Sequence, residues 1–259
     1  MIEVFMHDFR GLFVWERLKT LVLFYPLALG VIVLLGWPTS YVLAAPASPP
    51  LPVWSVLLAT LVAGYEVLRT AAHTASRPDD VQPADWIRYA HAPPVAVLAG
   101  KLLAAFGTNL MWCAVVTPLL LVVSRLAANP FPLGGLYGYW LLLAAALTFW
   151  GVWATGRVTS RSTRAWLLTG LWTVGFLAPL LPFDPPSAAL TTMIGGSPAR
   201  VVRHLAGPGS ETPLSAATVL YPVLLLSVTG LALAWLDLRR WAVRASTPQQ
   251  TRPHGQSQS

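Results

Sequence analysis

The chain is 259 residues long, 55% hydrophobic and only 10% charged, with a mean hydropathy of +0.60. Soluble domains carry roughly 25% charged residues, because charge keeps a folded surface wet. This composition therefore excludes an ordinary soluble domain and leaves lipid to cover much of the surface. The formal net charge of +7 is no sign of a nucleic-acid partner, since the basic residues stand in short clusters between long apolar runs.

A single cysteine, Cys113, excludes an internal disulfide. The histidines, His7, His73, His91, His204 and His254, are scattered without metal-ligand spacing. At the N-terminus, residues 2–18 mix large apolar side chains with charges. Phe5, Phe9, Leu12 and Phe13 recur at helical spacing, with Glu16 and Arg17 turned away, which predicts an amphipathic helix over residues 1–19 lying in the interface plane.

Gaps between charged residues then locate the spans. No Asp, Glu, Lys or Arg occurs from Thr20 to Tyr65, Leu102 to Ser124, Leu126 to Gly156, Ala165 to Phe183 or Thr212 to Leu236. About 20 apolar residues cross a hydrocarbon core of ~30 Å. The first gap holds two such lengths, divided by the proline-rich run Ala45–Pro52. The expected fold is an all-α membrane protein with six transmembrane helices over residues 20–44, 52–68, 102–124, 133–156, 165–181 and 214–236. Pro26, Pro118, Pro179 and Pro222 fall inside spans, and Gly134 and Gly138 open the fourth with a small-residue spacing that permits close packing.

Orientation follows the basic residues. With both termini inside (N-in/C-in), the cytoplasmic segments carry Arg10, Arg17, Lys19, Arg69, Arg77, Arg88, Lys101, Arg157, Arg161, Arg164, Arg239, Arg240, Arg244 and Arg252, against Arg125, Arg200 and Arg203 outside. Ala45-Pro46-Ala47 looks like a signal cleavage site. The preceding apolar run is longer than a signal's h-region, however, and Glu3, Asp8 and Glu16 stand before it, so a retained helix is expected.

The segment 69–101 is the most informative loop, with Arg69, Arg77, Asp79, Asp80, Asp85, Arg88 and Lys101. Asp85 is placed to cap a short helix from Trp86, ended by Pro93-Pro94. Its Trp86, Arg88 and Tyr89 suit either a docking surface or headgroup-level anchors. Glu66 and Lys101 flank it as charges at the ends of the second and third spans. Either could be functional, and Glu66 is also in position to pair with Arg69 at i+3. The external loop 182–213 is broken by Gly195-Gly196, Pro198, Gly207, Pro208 and Gly209, and the polar tail 246–259 is expected to be disordered.

Recognisable enzyme chemistry is missing. Gly100-Lys101 lacks the earlier glycine of a phosphate-binding loop (Val95 stands there), and Leu102 replaces its Ser/Thr. There is no Gly-x-Ser-x-Gly, no His-Glu-x-x-His and no carboxylate pair within the apolar spans.

This layout resembles the permease subunit of ABC-2 type transporters. The stretch Ala92–Phe106 (APPVAVLAGKLLAAF) is similar to that family's Pro-Leu-Ser … Gly-Lys-Leu-Leu run at the start of the third span. Phe183–Gly196 is similar to its Ser-Pro-Phe-x-Ala-Leu … Gly-Gly segment. The likeness covers most of residues 1–245. It departs at Val81–Asp85, where the family carries a Gly-Thr/Ser-Leu-Glu-like element. The resemblance implies an exporter subunit of the cell inner membrane that forms the substrate pathway with a second permease copy or homologue. Cytoplasmic ATPase subunits would bind ATP and Mg, leaving no catalytic, cofactor or metal residue in this chain. They would engage the 69–101 coupling loop through Asp85, Trp86, Arg88, Tyr89 and His91. A haem-exporter-like subunit of cytochrome c maturation shares the six-span layout, and a membrane scaffold without transport is the reading from another class.

Overall fold

In the computed structural model, the structure describes residues 1–10, 19–35, 50–72, 82–126, 133–177, 198, 201 and 216–246, and the elements among them are helices. Proline sets where three of them begin. Its ring presets the helical φ, and its missing N–H is one that a first turn leaves unpaired anyway. α1 spans Ile2–Arg10. A π-helical turn, Thr20–Phe24, leads into α2, Tyr25–Leu35. α3 is Pro50–Ala71, α4 Pro83–Arg88 and α5 Pro94–Leu126. α6 is Leu133–Arg157, α7 Arg161–Leu177 and α8 Ala216–Ser246.

Four helices among the described residues are long and apolar enough to cross a membrane: Val53–Ala71, Pro94–Arg125, Leu133–Arg157 and Leu220–Ala245. They correspond to the second, third, fourth and sixth expected spans. The first and fifth are described in part, as α2 and α7. The rest of each (36–44 and 178–181) lies outside the described residues, as do Pro179, the tail beyond Ser246 and nearly all of the external loop.

α3 is the hub of the bundle. Three tryptophans on three other helices donate their indole N–H groups to consecutive α3 residues: Trp112 of α5 to the Ala59 carbonyl (3.0 Å), Trp140 of α6 to Thr60 Oγ1 (2.9 Å) and Trp172 of α7 to the Leu61 carbonyl (2.9 Å). An unmet indole donor in an apolar interior is costly, so each bond sets a helix's height and rotation against α3. Val56, Leu57, Val62, Val116, Leu120, Leu136, Leu143 and Phe176 fill the core around them. The outer faces are apolar too: Leu23 in the π-helical turn, Leu27, Leu34 and Leu35 on α2, Leu171 and Val174 on α7, and Leu224 and Val228 on α8 are exposed. An apolar exterior over an apolar core is what lipid solvation demands.

Two expected boundaries move, both for one reason. α5 begins at Pro94 rather than at residue 102, which trims the coupling loop from 69–101 to about 72–93. α8 continues past residue 236 to Ser246. In each case a charged residue that ended the apolar gap lies within the helix and is buried: Lys101 is 1% exposed and Asp237 7%. Each is neutralised by a partner on another helix, so it does not mark a water boundary. Gly134 and Gly138 meet no described neighbour within 4 Å. Pro118 and Pro222 do lie inside helices. Beside Pro118, Thr117 Oγ1 bonds the Cys113 carbonyl (2.5 Å) and the Tyr137 hydroxyl (2.7 Å), tying the loosened turn to α6.

The helix directions gather the positive charge at one end. The C-termini of α3, α6 and α8 lie there with the N-termini of α5 and α7, carrying Arg69, Lys101, Arg157, Arg161, Arg164, Arg239, Arg240 and Arg244. Among the described residues, the far end of the long helices carries Arg125.

Candidate functional site

The sequence-selected residues converge on this basic end, around α4. The helix starts at Pro83, with Gln82 before it, so Asp85 is its third residue rather than its cap as expected. Asp85 still serves the start, because its Oδ2 accepts the Gln82 backbone N–H at 3.1 Å. The helix ends in a tight turn: the Ala92 N–H reaches back to the Trp86 carbonyl (3.1 Å), and His91 takes a left-handed backbone with φ 51°. That region is uncommon for a non-glycine residue and is stabilised here by the closing bond. Pro93 blocks continuation, and Pro94 starts α5.

α4 has a rooted side and a free tip. Ile87 is buried with Val97 and Leu98 of α5, Val152 of α6, and Ala234 and Leu238 of α8, and Trp86 packs against the same group. Trp86 is therefore not the exposed docking residue the sequence suggests. Its ring meets His7 of α1 edge-on at 5.7 Å. The exposed residues are the run Arg88, Tyr89, Ala90 and His91, with Tyr89 72% exposed. Of the five residues taken for a coupling surface, the geometry brings Arg88, Tyr89 and His91 to that surface and turns Trp86 inward, while Asp85 holds the helix start.

Lys101 is not at a helix end. It lies two turns inside α5, and its ammonium meets Asp8 Oδ2 of α1 at 2.6 Å, with side chains 0% and 3% exposed. His7 Nδ1 is 3.4 Å from the other Asp8 oxygen. α1 can come this close because α5 presents Gly100 and Gly107 to it. A Cβ on Gly100 would lie 2.7 Å from Val4, and one on Gly107 2.9 Å from the ring of Phe9. The expected interfacial helix thus lies against protein on one face. Val4 and Asp8 are buried, Phe5 and Phe9 stack at 5.1 Å, and Ile2 and Met6 face outward.

Glu66 is 1% exposed in α3, and Arg69 Nη1 stands 3.5 Å from its Oε1, the i+3 pairing expected from the sequence. Tyr25 of α2, positioned by the π-helical turn, points its hydroxyl at the same oxygen at 3.5 Å. Its ring packs edge-on against Trp112 at 5.7 Å. Glu66 therefore ties α2 to α3.

Sequence reasoning missed Asp8 and Asp237. Asp237 accepts Arg157 Nε and Nη2, each at 3.2 Å, and Arg240 Nη1 at 3.4 Å, joining α6 to α8. A usable signal existed for Lys101. Once Pro94 is taken as a helix start, a lysine inside an apolar helix requires a buried carboxylate. Among the described residues, no group of three or more His, Cys, Asp or Glu side chains gathers as a metal site would need. No protein-family model matches the chain, and no curated protein is similar to it.

Proposed function

We propose that the chain is the permease subunit of an ABC-2 type ATP-driven exporter in the cell inner membrane, crossing it six times with both termini in the cytoplasm. A second permease copy completes the pathway, and separate cytoplasmic ATPase subunits bind ATP and Mg. The observation that carries this reading is α4. It is a short helix between two long membrane helices, rooted in α5, α6 and α8 through Ile87 and Trp86, with Arg88–His91 left exposed beyond them. A transporter whose chain holds no nucleotide loop needs an element that receives motion from outside and passes it to several spans at once, and α4 has that form. The collection of basic residues at the same end supports placing α4 in the cytoplasm.

Affinity-tagged chain, purified in mild detergent from the membranes of its own host, is expected to retain Mg-ATP hydrolysis. Arg88→Ala with Tyr89→Ala should leave the permease folded and reduce the retained ATPase several-fold. Cysteine placed at His91 should react with a membrane-impermeant maleimide only after the cells are opened, and cysteine at Arg125 should react from outside. Failure to retain any ATPase, or a reactive His91→Cys in intact cells, overturns the proposal.

A further inference from the structure

At the junction of α6 and α8, two guanidinium groups meet one buried carboxylate, and a third arginine stands one turn beyond on α8. Asp237 is 7% exposed and holds Arg157 and Arg240, whose side chains are themselves 51% and 60% exposed. Arg244, one turn beyond Arg240 on the same helical face, is exposed and has no acidic partner among the described residues. Three positive charges against one negative leave an excess of two at a point where the arginines are already aimed. Each guanidinium has five donors, and Arg157 spends two of them on Asp237. With half or more of the Arg157 and Arg240 side chains exposed, the remaining donors are accessible.

We infer that Arg157, Arg240 and Arg244 form a binding site for the phosphate of an anionic phospholipid, with Asp237 as the positioning residue that holds the first two. Two features favour a lipid over a free anion. The site lies at the end of two candidate membrane spans: Arg157 closes Leu133–Arg157, and Arg240 and Arg244 occupy the last turns of Leu220–Ala245. That is the height at which a headgroup meets an acyl chain. Indole rings flank it on both helices, with Trp153 on α6 and Trp235 and Trp241 on α8, half-buried in the position of an interfacial aromatic belt. The helices also meet closely there. A Cβ on Gly156 would be 2.7 Å from the Trp241 ring, so Arg157 and Arg240 project from a joint with little freedom. Preorganised arginines bind a phosphodiester through paired N–H donors, and the field of an anionic leaflet adds to the attraction. This inference does not depend on the transport reading.

The test is native mass spectrometry of the full chain in mild detergent, titrated separately with phosphatidylglycerol and phosphatidylcholine. Wild type should bind phosphatidylglycerol at least tenfold more tightly. Arg240→Gln with Arg244→Gln leaves the Arg157–Asp237 pair in place and should weaken that binding by about thirtyfold, from about fivefold per arginine near an anionic surface. Arg125→Gln, at the far end, should bind as wild type. Equal binding of the two lipids, or an unaltered double variant, overturns the inference. Displacement of phosphatidylglycerol by millimolar inorganic phosphate would make this a free-anion site, and loss of a protein partner from the double variant with lipid binding intact would make it a protein interface; either result also overturns it.

Discussion

Lys101→Met tests the most consequential contact in the structure. The substitution removes an ammonium that is 0% exposed and leaves the Asp8 carboxylate, 3% exposed, with its 2.6 Å partner gone. Removing one member of a buried ion pair costs about 3–5 kcal/mol, because the other charge stays desolvated. Asp8→Asn should cost about 2–4 kcal/mol by the same mechanism, softened by the amide oxygen that remains to accept a bond. The combination Lys101→Met with Asp8→Leu replaces both charges by apolar groups of similar size and should return to within about 1 kcal/mol of wild type. With Asp8→Leu as the other single variant, expected to cost about 3–5 kcal/mol as Lys101→Met does, the coupling in this cycle is at least about 5 kcal/mol, well above what additive sites show. Unfolding by denaturant in mixed micelles, followed through tryptophan fluorescence, measures each corner. Trp86, in contact with His7 beside Asp8, is a local reporter of α1 leaving its seat. Single variants that each cost less than about 1 kcal/mol, or a double variant equal to the sum of the singles, would refute the argument that this pair docks α1 on α5.

Three further outcomes follow from the same geometry. Gly100→Leu puts a branched side chain where even a Cβ would meet Val4 at 2.7 Å, so α1 should lose its seat and become open to protease while the long helices stay folded; unchanged cleavage would contradict the close approach. Trp140→Phe and Trp172→Phe each delete a hydrogen bond to α3 while keeping an aromatic ring, and should cost about 0.5–1.5 kcal/mol apiece in the same unfolding assay, with Ala59, the third acceptor, still served by Trp112. Arg157→Ala leaves Asp237 with Arg240 alone and should destabilise by about 1 kcal/mol, since the guanidinium is half-exposed, whereas Asp237→Ala leaves two arginines facing each other and should cost more; the reverse order would contradict Asp237 as the centre of the cluster.

The long apolar helices were legible because their signal is one-dimensional: apolar runs of the right length, punctuated by Pro50 and Pro94 and by the basic clusters. Glu66 with Arg69 was legible too, since i+3 partners on one helix need no tertiary knowledge. What could not be read was the placement of Lys101 and Asp237. A charge in an apolar run reads as a span boundary unless its partner is known, and the partners lie 93 and 80 residues away, on α1 and α6. Trp86 failed for a related reason. Its neighbours are Ile87 on its own helix, residues of α5, α6 and α8, and His7 of α1, and no local pattern distinguishes an indole headed for such a joint from one headed for a partner protein.

These misread residues share a place, and that has a mechanical consequence. α4 touches α1 through Trp86 and His7, α1 is pinned to α5 by Asp8 and Lys101, and α4 is seated against α6 and α8 through Ile87. α6 and α8 are in turn locked by Asp237. A displacement of α4 that kept these contacts would carry α1, α5, α6 and α8 with it, because a packed, ion-paired joint shifts as a unit rather than deforming continuously. α2 is linked to this end of the molecule through Tyr25, whose hydroxyl points at Glu66 of α3 at 3.5 Å. A rearrangement driven from the Arg88–His91 tip should therefore load the contacts between α3 and the α5–α6–α8 group, where Trp112 and Trp140 bond Ala59 and Thr60.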